Sequence, residues 1–359
     1  MLKTGMVRKM TATKACWLLA FVIWGSPLRS APVAWTSNGP PETVGGVWSL
    51  AVATSQPTTV YAGTRDGVWK SLDAGGSWSP AGLEGFTILS LAVDPADPDT
   101  VYAMAEESSY FEYGTVSKTT DGGSSWSNLV YLGKFESMTS ISVDPSEPSV
   151  VYTRSLSHNT GGYHLAKSTD GFVSFTNVDP GAPGSVASFA LDPRNPSVLY
   201  LLYGPGEFES DDKGETWSEI GAGPGIGRES FLIADPFTPG TLFGAGDSGV
   251  SRSEDGGRSW APTPFVGKVT AVVADPVHAG TIFAGTENGV FVSPDRGETW
   301  VDISSTLPEG TLVTSLAKGT GTLHAGSYFA GVFEWTPPIR SVPVMPGPRT
   351  SPAVVHRRP

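Results

Sequence analysis

Charge, cysteine and helical periodicity are all scarce in this chain, and each scarcity closes off a class of protein. Charged residues make up 16 % of 359 residues, against 44 Gly and 30 Pro. With no sustained 3.6-residue period, that balance fits many short strands joined by turns rather than helices. Cys16 is the only cysteine. It lies in the N-terminal leader, at the start of the apolar stretch rather than after it, which argues against a lipoprotein anchor. The mature chain is therefore expected to have no disulfide, reactive thiol or Cys-ligated metal, so its stability must come from packing and closure. Basic residues are also few. Residues 1–30 hold five of the 23 Lys and Arg and none of the 35 Asp and Glu, leaving 18 against 35 and a net charge of −17. That sign opposes nucleic-acid binding and docking on anionic lipid. No nucleotide-binding loop, Ser-His-Asp spacing or HExxH motif occurs, and no cofactor is expected.

Residues 1–30 read as a secretory signal. Lys3, Arg8, Lys9 and Lys14 precede the apolar run Ala15–Gly25, which is short for a bilayer span. The alternative is an uncleaved N-terminal anchor. No later apolar run could span a membrane. The expected location is secreted or periplasmic, free of the membrane after cleavage.

What is present is one repeat. Ser71-Leu-Asp73-Ala-Gly75-Gly-Ser-Trp78 recurs as Thr119/Asp121/Gly123/Trp126, Ser168/Asp170/Phe175, Ser210/Asp212/Gly214/Trp217, Ser253/Asp255/Gly257/Trp260 and Ser293/Asp295/Gly297/Trp300. The third copy departs, with Phe172 in the Gly position and Phe175 in that of Trp. The short Asp and Ser side chains hydrogen-bond backbone N–H groups, Gly supplies a positive φ, and Trp opens the next strand with a large ring to bury. The S/T-x-D-x-G-x-x-W spacing resembles the Asp box of the bacterial neuraminidase repeat, over about residues 35–335.

Around each copy lies a unit of about 40–49 residues, a period that suggests a propeller. An apolar run ends near Asp-Pro, as in Ser90-Leu-Ala-Val-Asp94-Pro95 and Ser140-Ile-Ser-Val-Asp144-Pro145. A second strand follows, from Thr59-Val-Tyr-Ala-Gly63 to Thr322-Leu-His-Ala325. A third runs into the repeated turn and a fourth starts at its aromatic. Seven such units predict an all-β chain, a seven-bladed propeller of four-stranded antiparallel blades over 31–335. The seventh unit stops after Gly331-Val-Phe-Glu-Trp335 without a fourth strand. Val33-Ala-Trp35-Thr is expected to supply it, with Trp35 as the missing aromatic, closing the ring. Residues 336–359 are Pro-rich with four Arg and are expected to be a disordered tail.

In families that this repeat resembles, function sits on the face opposite the repeated turns, where second-to-third-strand loops and blade links project. The turn carboxylates Asp73, Asp121, Asp170, Asp212, Asp255 and Asp295 are thus expected to be structural, as are the aromatics Trp78, Trp126, Phe175, Trp217, Trp260 and Trp300. Two loops on the opposite face are long and adjacent. Blade two offers Glu106, Glu107, Tyr110, Glu112 and Tyr113; blade three offers Arg154, His158, Tyr163 and His164. Aromatics interleaved with polar groups suit a sugar or peptide. Paired carboxylates could instead serve as acid and base on a glycosidic bond. His158 and His164 lack a clear third ligand, so no metal is expected. Sialidases of this repeat family need an early F/Y-R-I-P segment, which is missing. Thr64-Arg65-Asp66-Gly67 resembles the segment bearing a catalytic Asp in xyloglucanase-type hydrolases, whose cleft takes two propellers; it also fits an Asp-Gly hairpin turn. The units are similar, too, to the non-catalytic photosystem II assembly-factor propellers. The reading is a monomeric propeller binding an extracellular protein or glycan, with no catalytic residue assigned. The alternative is a glycoside hydrolase with an atypical site at Glu106, Glu107 or Glu112.

Overall fold

A computed structural model describes residues 34–41, 45–107, 114–131, 136–157, 162–181, 184–204, 206–226 and 230–337. Residues 1–33 and nearly all of the Pro-rich segment after residue 335 lie outside them. Every regular element among the described residues is a strand, and the strands form seven four-stranded antiparallel sheets in a ring. Six sheets are consecutive in sequence. The seventh takes Val313–Lys318, Leu323–Ser327 and Gly331–Trp335, and its outer strand is Thr36–Ser37, paired to Glu334 and Phe333. The first and last described strands thus share one blade.

Burial explains the sequence pattern. The second strand of a blade is covered on both faces by its neighbours, so Val60–Thr64, Leu242–Gly246 and Ile282–Thr286 are buried at all five positions. Such strands read as continuous small or apolar runs rather than alternating ones. Each carries an aromatic at its second position: Tyr61, Tyr102 and Tyr152, Tyr200, then Phe243 and Phe283, all at most 3 % exposed. Blade seven puts His324 there instead, fully buried. Burying one Phe-sized ring contributes about 1.5–3 kcal/mol, so the seams carry much of the stability.

The repeated turn is a closed hydrogen-bond unit. Ser71 Oγ accepts from Gly75 N at 2.8 Å and donates to Asp73 Oδ1 at 2.8 Å, while Asp73 accepts from Ser77 N at 2.8 Å and from Ser77 Oγ at 2.7 Å. The hydroxyls of Ser125, Ser174 and Thr216, each donating to the Asp four residues earlier, hold Asp121, Asp170 and Asp212 down at about 2. These carboxylates stay ionised and fixed. Asp255 and Asp295 accept in the same way from Ser259 and Thr299. Two successive residues are left-handed, not one: Ala74 at φ 57° and Gly75 at 94°, Lys213 at 63° and Gly214 at 87°. In the third copy Phe172 itself takes φ 72°. Its ring is fully buried and stacks on Phe175 at 5.4 Å, which offsets the strain. Ser210→Ala, by stranding the buried N–H of Gly214, should lower stability by about 1–3 kcal/mol in urea unfolding.

The turn aromatics correct one expectation. They do not open the fourth strands: Trp78, Trp126, Phe175, Trp217, Trp260 and Trp300 each end the turn one residue before the strand, which starts at Ser79, Ser127, Thr176, Ser218, Ala261 or Val301. Held outside the ladder, each ring is half-buried, and most fold across a seam. The indoles of Trp126, Trp217 and Trp35 donate to the blade before, to Ala81 O at 2.7 Å, Val178 O at 2.6 Å and Ile303 O at 2.7 Å. Every acceptor lies three residues after the preceding blade's own turn aromatic. Trp260 departs from this uniform role. Its ring packs against the cluster of Tyr200, Leu202, Leu232 and Leu242, and its indole donates at 2.7 Å to the Glu207 carboxylate of blade four rather than to a carbonyl. Buried Glu207 accepts this bond in place of a carbonyl. Trp78 donates within its own turn, to Gly75 O at 3.1 Å.

Other bonds also join the blades. On the inner strands Ser49 Oγ accepts from Leu91 N at 3.0 Å, Ser90 Oγ from Ile141 N at 3.2 Å, and Ser188 Oγ from Leu232 N at 3.0 Å. The Asp-Pro carboxylates do more than mark turns. Asp144, Asp235 and Asp275 are buried, and one oxygen of each accepts from the N–H groups two and three residues on. The second oxygen turns to a cation of the next blade: Lys213 at 2.9 Å, Arg296 at 3.7 Å and Lys318 at 3.6 Å.

Candidate functional site

The inner strands enclose a central channel of about 800 Å³, lined mainly by Ser, Thr, Ala, Val, Leu, Ile, Phe and Pro side chains. Among its described lining residues the one charged side chain is Arg154. This residue also joins a seam. Its Nε donates to Val186 O of blade four at 2.9 Å, and its guanidinium lies 3.6 Å over the Tyr163 ring. Burial pushes the guanidinium below its ordinary range, yet an Arg stays charged.

Blades two and three differ from the rest in height. Their second strands, Val101–Glu107 and Val151–Ser157, have seven residues, and their third strands, Gly114–Thr119 and Gly162–Ser168, have six and seven. Second and third strands in the other five blades all have five. The described ends of these strands, in two adjacent blades, therefore reach further than those of the other blades on the face opposite the repeated turns and form a raised wall.

Strand parity decides which sequence-predicted residues share a surface. In blade two, Tyr102 and Met104 pack on blade three, so Glu106 faces the seam between them. Val101, Ala103 and Ala105 pack on blade one, so Glu107 faces the opposite way. In blade three, Tyr152, Leu165 and Tyr163 pack toward blade four, placing Arg154 on that side. His164 then takes the opposite face of the blade, toward blade two. The predicted set thus divides among three seams. Tyr110, Glu112, Tyr113 and His158 lie outside the described residues.

Local contacts refine the roles. Burial raises the Glu106 carboxyl above its ordinary value. His164 Nδ1 pairs with Asp179 Oδ2, and Asp179 Oδ1 accepts from Leu165 N at 2.7 Å, tying the third strand of blade three to the link that follows that blade. Among the described residues no three His, Cys, Asp or Glu side chains gather as a metal site. Asp66 accepts from Gly85 N at 2.7 Å and sits in a turn where Thr64 Oγ1 donates to Gly67 O at 2.9 Å. Blade six builds the same turn with Asn288 in the Asp66 place. A carboxylate is not needed there, which fits a hairpin role for Asp66.

Sequence reasoning missed the seam serines, the second oxygen of the Asp-Pro carboxylates and the cross-blade indole bonds. Regular recurrence was the available signal, since Ser precedes the apolar run in several units. The Glu207 partner of Trp260 carried no such signal, because it occurs once.

No protein-family model matches the chain. Its sequence is similar to a xyloglucanase from Hypocrea jecorina (strain QM6a), 26 % identical over 273 residues, covering 66 % of this chain and 29 % of that enzyme. The chain thus spans under a third of that relative's length. Its structure is similar to YCF48 from Cyanidioschyzon merolae, with a TM-score of 0.65 at 12 % identity over 85 % of this chain and 99 % of that one. It is similar as well to YCF48 bound to a D1 peptide, with a TM-score of 0.62 at 15 % identity over 88 % of this chain and 99 % of that one. At such identities these likenesses speak for the β-propeller fold and leave function to the site.

Proposed function

We propose that this chain is a non-catalytic binding propeller that takes an extracellular or periplasmic protein segment, or a glycan, against the raised wall of blades two and three. In this reading residues 1–30 direct export and the tail after residue 335 is passive. The observation that carries the proposal is the height of the two adjacent hairpins. Long loops held on a rigid scaffold are favoured places for recognition. Arg154, stacked on Tyr163 at the channel, supplies a fixed cation beside an aromatic face. That a YCF48 structure holds a peptide supports a protein partner for a propeller of this shape.

A glycoside hydrolase is the second reading. It is favoured by the raised carboxyl of Glu106, suited to a general acid, and by the xyloglucanase likeness. Opposed to it is geometry. Glu106 and Glu107 occupy opposite faces of one strand, whereas an acid and its partner must flank one bond from about 5–9.5 Å apart.

The test is to replace residues 106–113 and 156–161 with two-residue turns and probe arrays of glycans and short peptides. Binding by the full chain that falls at least tenfold in the shortened variant, with its thermal midpoint kept, is the expected result. Equal binding by both would remove the wall from the account.

A further inference from the structure

A second pocket lies on the same face, between blades five and six and away from the wall. It has a volume of about 330 Å³, near the lower end of the roughly 300–1,000 Å³ typical of small-ligand sites. Its size suits one ring rather than an extended chain. One side is the link Pro264–Lys268 and the other is the hairpin Thr286–Asn288; Phe291 and Trp300 complete it.

Three rings are locked together in its lining. Phe265 packs edge-on against Phe291 at 5.2 Å and lies tilted against Trp300 at 4.7 Å. Trp300 differs from the other turn tryptophans. Trp126 and Trp217 reach back to a carbonyl of the preceding blade, Trp260 to the Glu207 carboxylate, and Trp78 to its own turn. The acceptor for Trp300 that matches the carbonyl pattern would be Thr263 O. Its buried N–H makes no such bond, and the ring packs on Phe265 instead. The pocket is built before any ligand arrives. Thr263 N donates to Val250 O at 2.9 Å, and Thr286 Oγ1 both donates to Gly289 O and accepts from Asn288 N at 3.1 Å.

The rim differs from the aromatic lining. It offers the Lys268 ammonium, which also lies 3.8 Å from the Asp247 carboxylate, the Glu287 carboxylate and the Asn288 amide. Both signs of charge are present beside a neutral donor-acceptor, so neither an anion nor a cation is selected. Val266 forms an apolar lip that is 86 % exposed. A ligand that is apolar on its faces and rich in donors and acceptors at its edge satisfies both parts. A peptide's aromatic side chain would fill the centre but cover the rim groups without partners, at a desolvation cost.

We infer that the pocket between blades five and six binds a single pyranose ring of a glycan, stacked on the aromatic lining with its hydroxyls on Lys268, Glu287 and Asn288. This site does not rest on the blade-two and blade-three reading. One small ring with few contacts binds with a Kd on the order of 1 mM.

The experiment is saturation-transfer difference NMR on the full chain with the methyl glycosides of glucose, galactose, xylose and N-acetylglucosamine. Two exposed substitutions serve as probes, Glu287→Ala at the rim and Val266→Arg at the lip, each checked for an unchanged thermal midpoint. Transfer to at least one glycoside that falls threefold or more in both variants is the expected result. No transfer to any glycoside, or transfer undiminished in both variants, overturns the inference. Transfer to N-acetyl-tryptophanamide alone, lost in both variants, gives the pocket to a peptide and overturns it as well.

Discussion

Trp35→Ala should cost the folded protein about 3–5 kcal/mol in urea unfolding, the range for removing a large ring from a core. The outer strand of blade seven has only two residues, so its few backbone bonds cannot hold the ring shut alone. Trp35 does most of that holding. It is 6 % exposed, packs among Phe283, Val290, Val313 and Phe333, and lies 6.3 Å from the Trp335 ring. Its backbone N donates to Thr306 Oγ1 at 2.7 Å and its indole to Ile303 O at 2.7 Å, so the side chain also ties blade seven to blade six. Trp35→Phe, which keeps a ring and loses the indole bond, should cost only about 1 kcal/mol. A loss of under about 1 kcal/mol for Trp35→Ala would mean that the ring is closed by something other than this strand.

Glu334→Gln should stabilise the protein at pH 8–9 and leave it nearly unchanged at pH 4–5. Burial pushes the Glu334 carboxyl up to about 8 from an ordinary 4.5, against the small opposing effect of a hydrogen bond from Thr36. It packs against Gly75 in the repeated turn of blade one, and its Oε1 has no hydrogen-bond partner. The native state therefore keeps a proton that the unfolded chain releases above about pH 4.5. Stability is fully present below that pH and is lost as pH rises through the folded value, at up to about 1.4 kcal/mol per unit. Gln imitates the protonated acid and removes the slope. Glu207, raised to about 7 by burial against the turn of blade five and eased back by the Trp260 indole, acts in the same direction over a narrower window. His324 acts in reverse. Burial holds it at about 4, so its contribution is lost as pH falls from about 6.5. Thermal midpoints of the wild type and Glu334→Gln between pH 4 and 9 check this. A difference between them that does not change with pH would contradict it.

Much of the fold was legible because the chain states it repeatedly. Ser-x-Asp-x-Gly fixes a turn by short-range hydrogen bonds, so its geometry follows from local sequence. The blade count followed from the spacing, and the closure from a unit that ends at Trp335 without its partner strand. Less legible was whatever depends on which face of a strand a residue takes. Glu106 and Glu107 are adjacent in sequence and look like a pair, yet the two-residue period turns them to different seams. Arg154 and His164 share a blade and likewise face apart. Trp260 matches its repeat in sequence, yet its bond is set by a carboxylate 53 residues earlier, so one motif position hides several partners. His324 was visible in the second-strand series, but its burial came from two neighbouring blades, which no local pattern records. The pocket at Phe265 and Trp300 was hidden for the same reason. Its walls come from a link and a hairpin of different blades, each ordinary by itself.

The measurement that bears most directly on the central claim is reducing-end release by the purified chain from a panel of polysaccharides and sialosides, xyloglucan included. A non-catalytic binding propeller gives no release from any of them. Release that disappears in Glu106→Gln or Glu107→Gln would make the raised wall an active site and contradict the account.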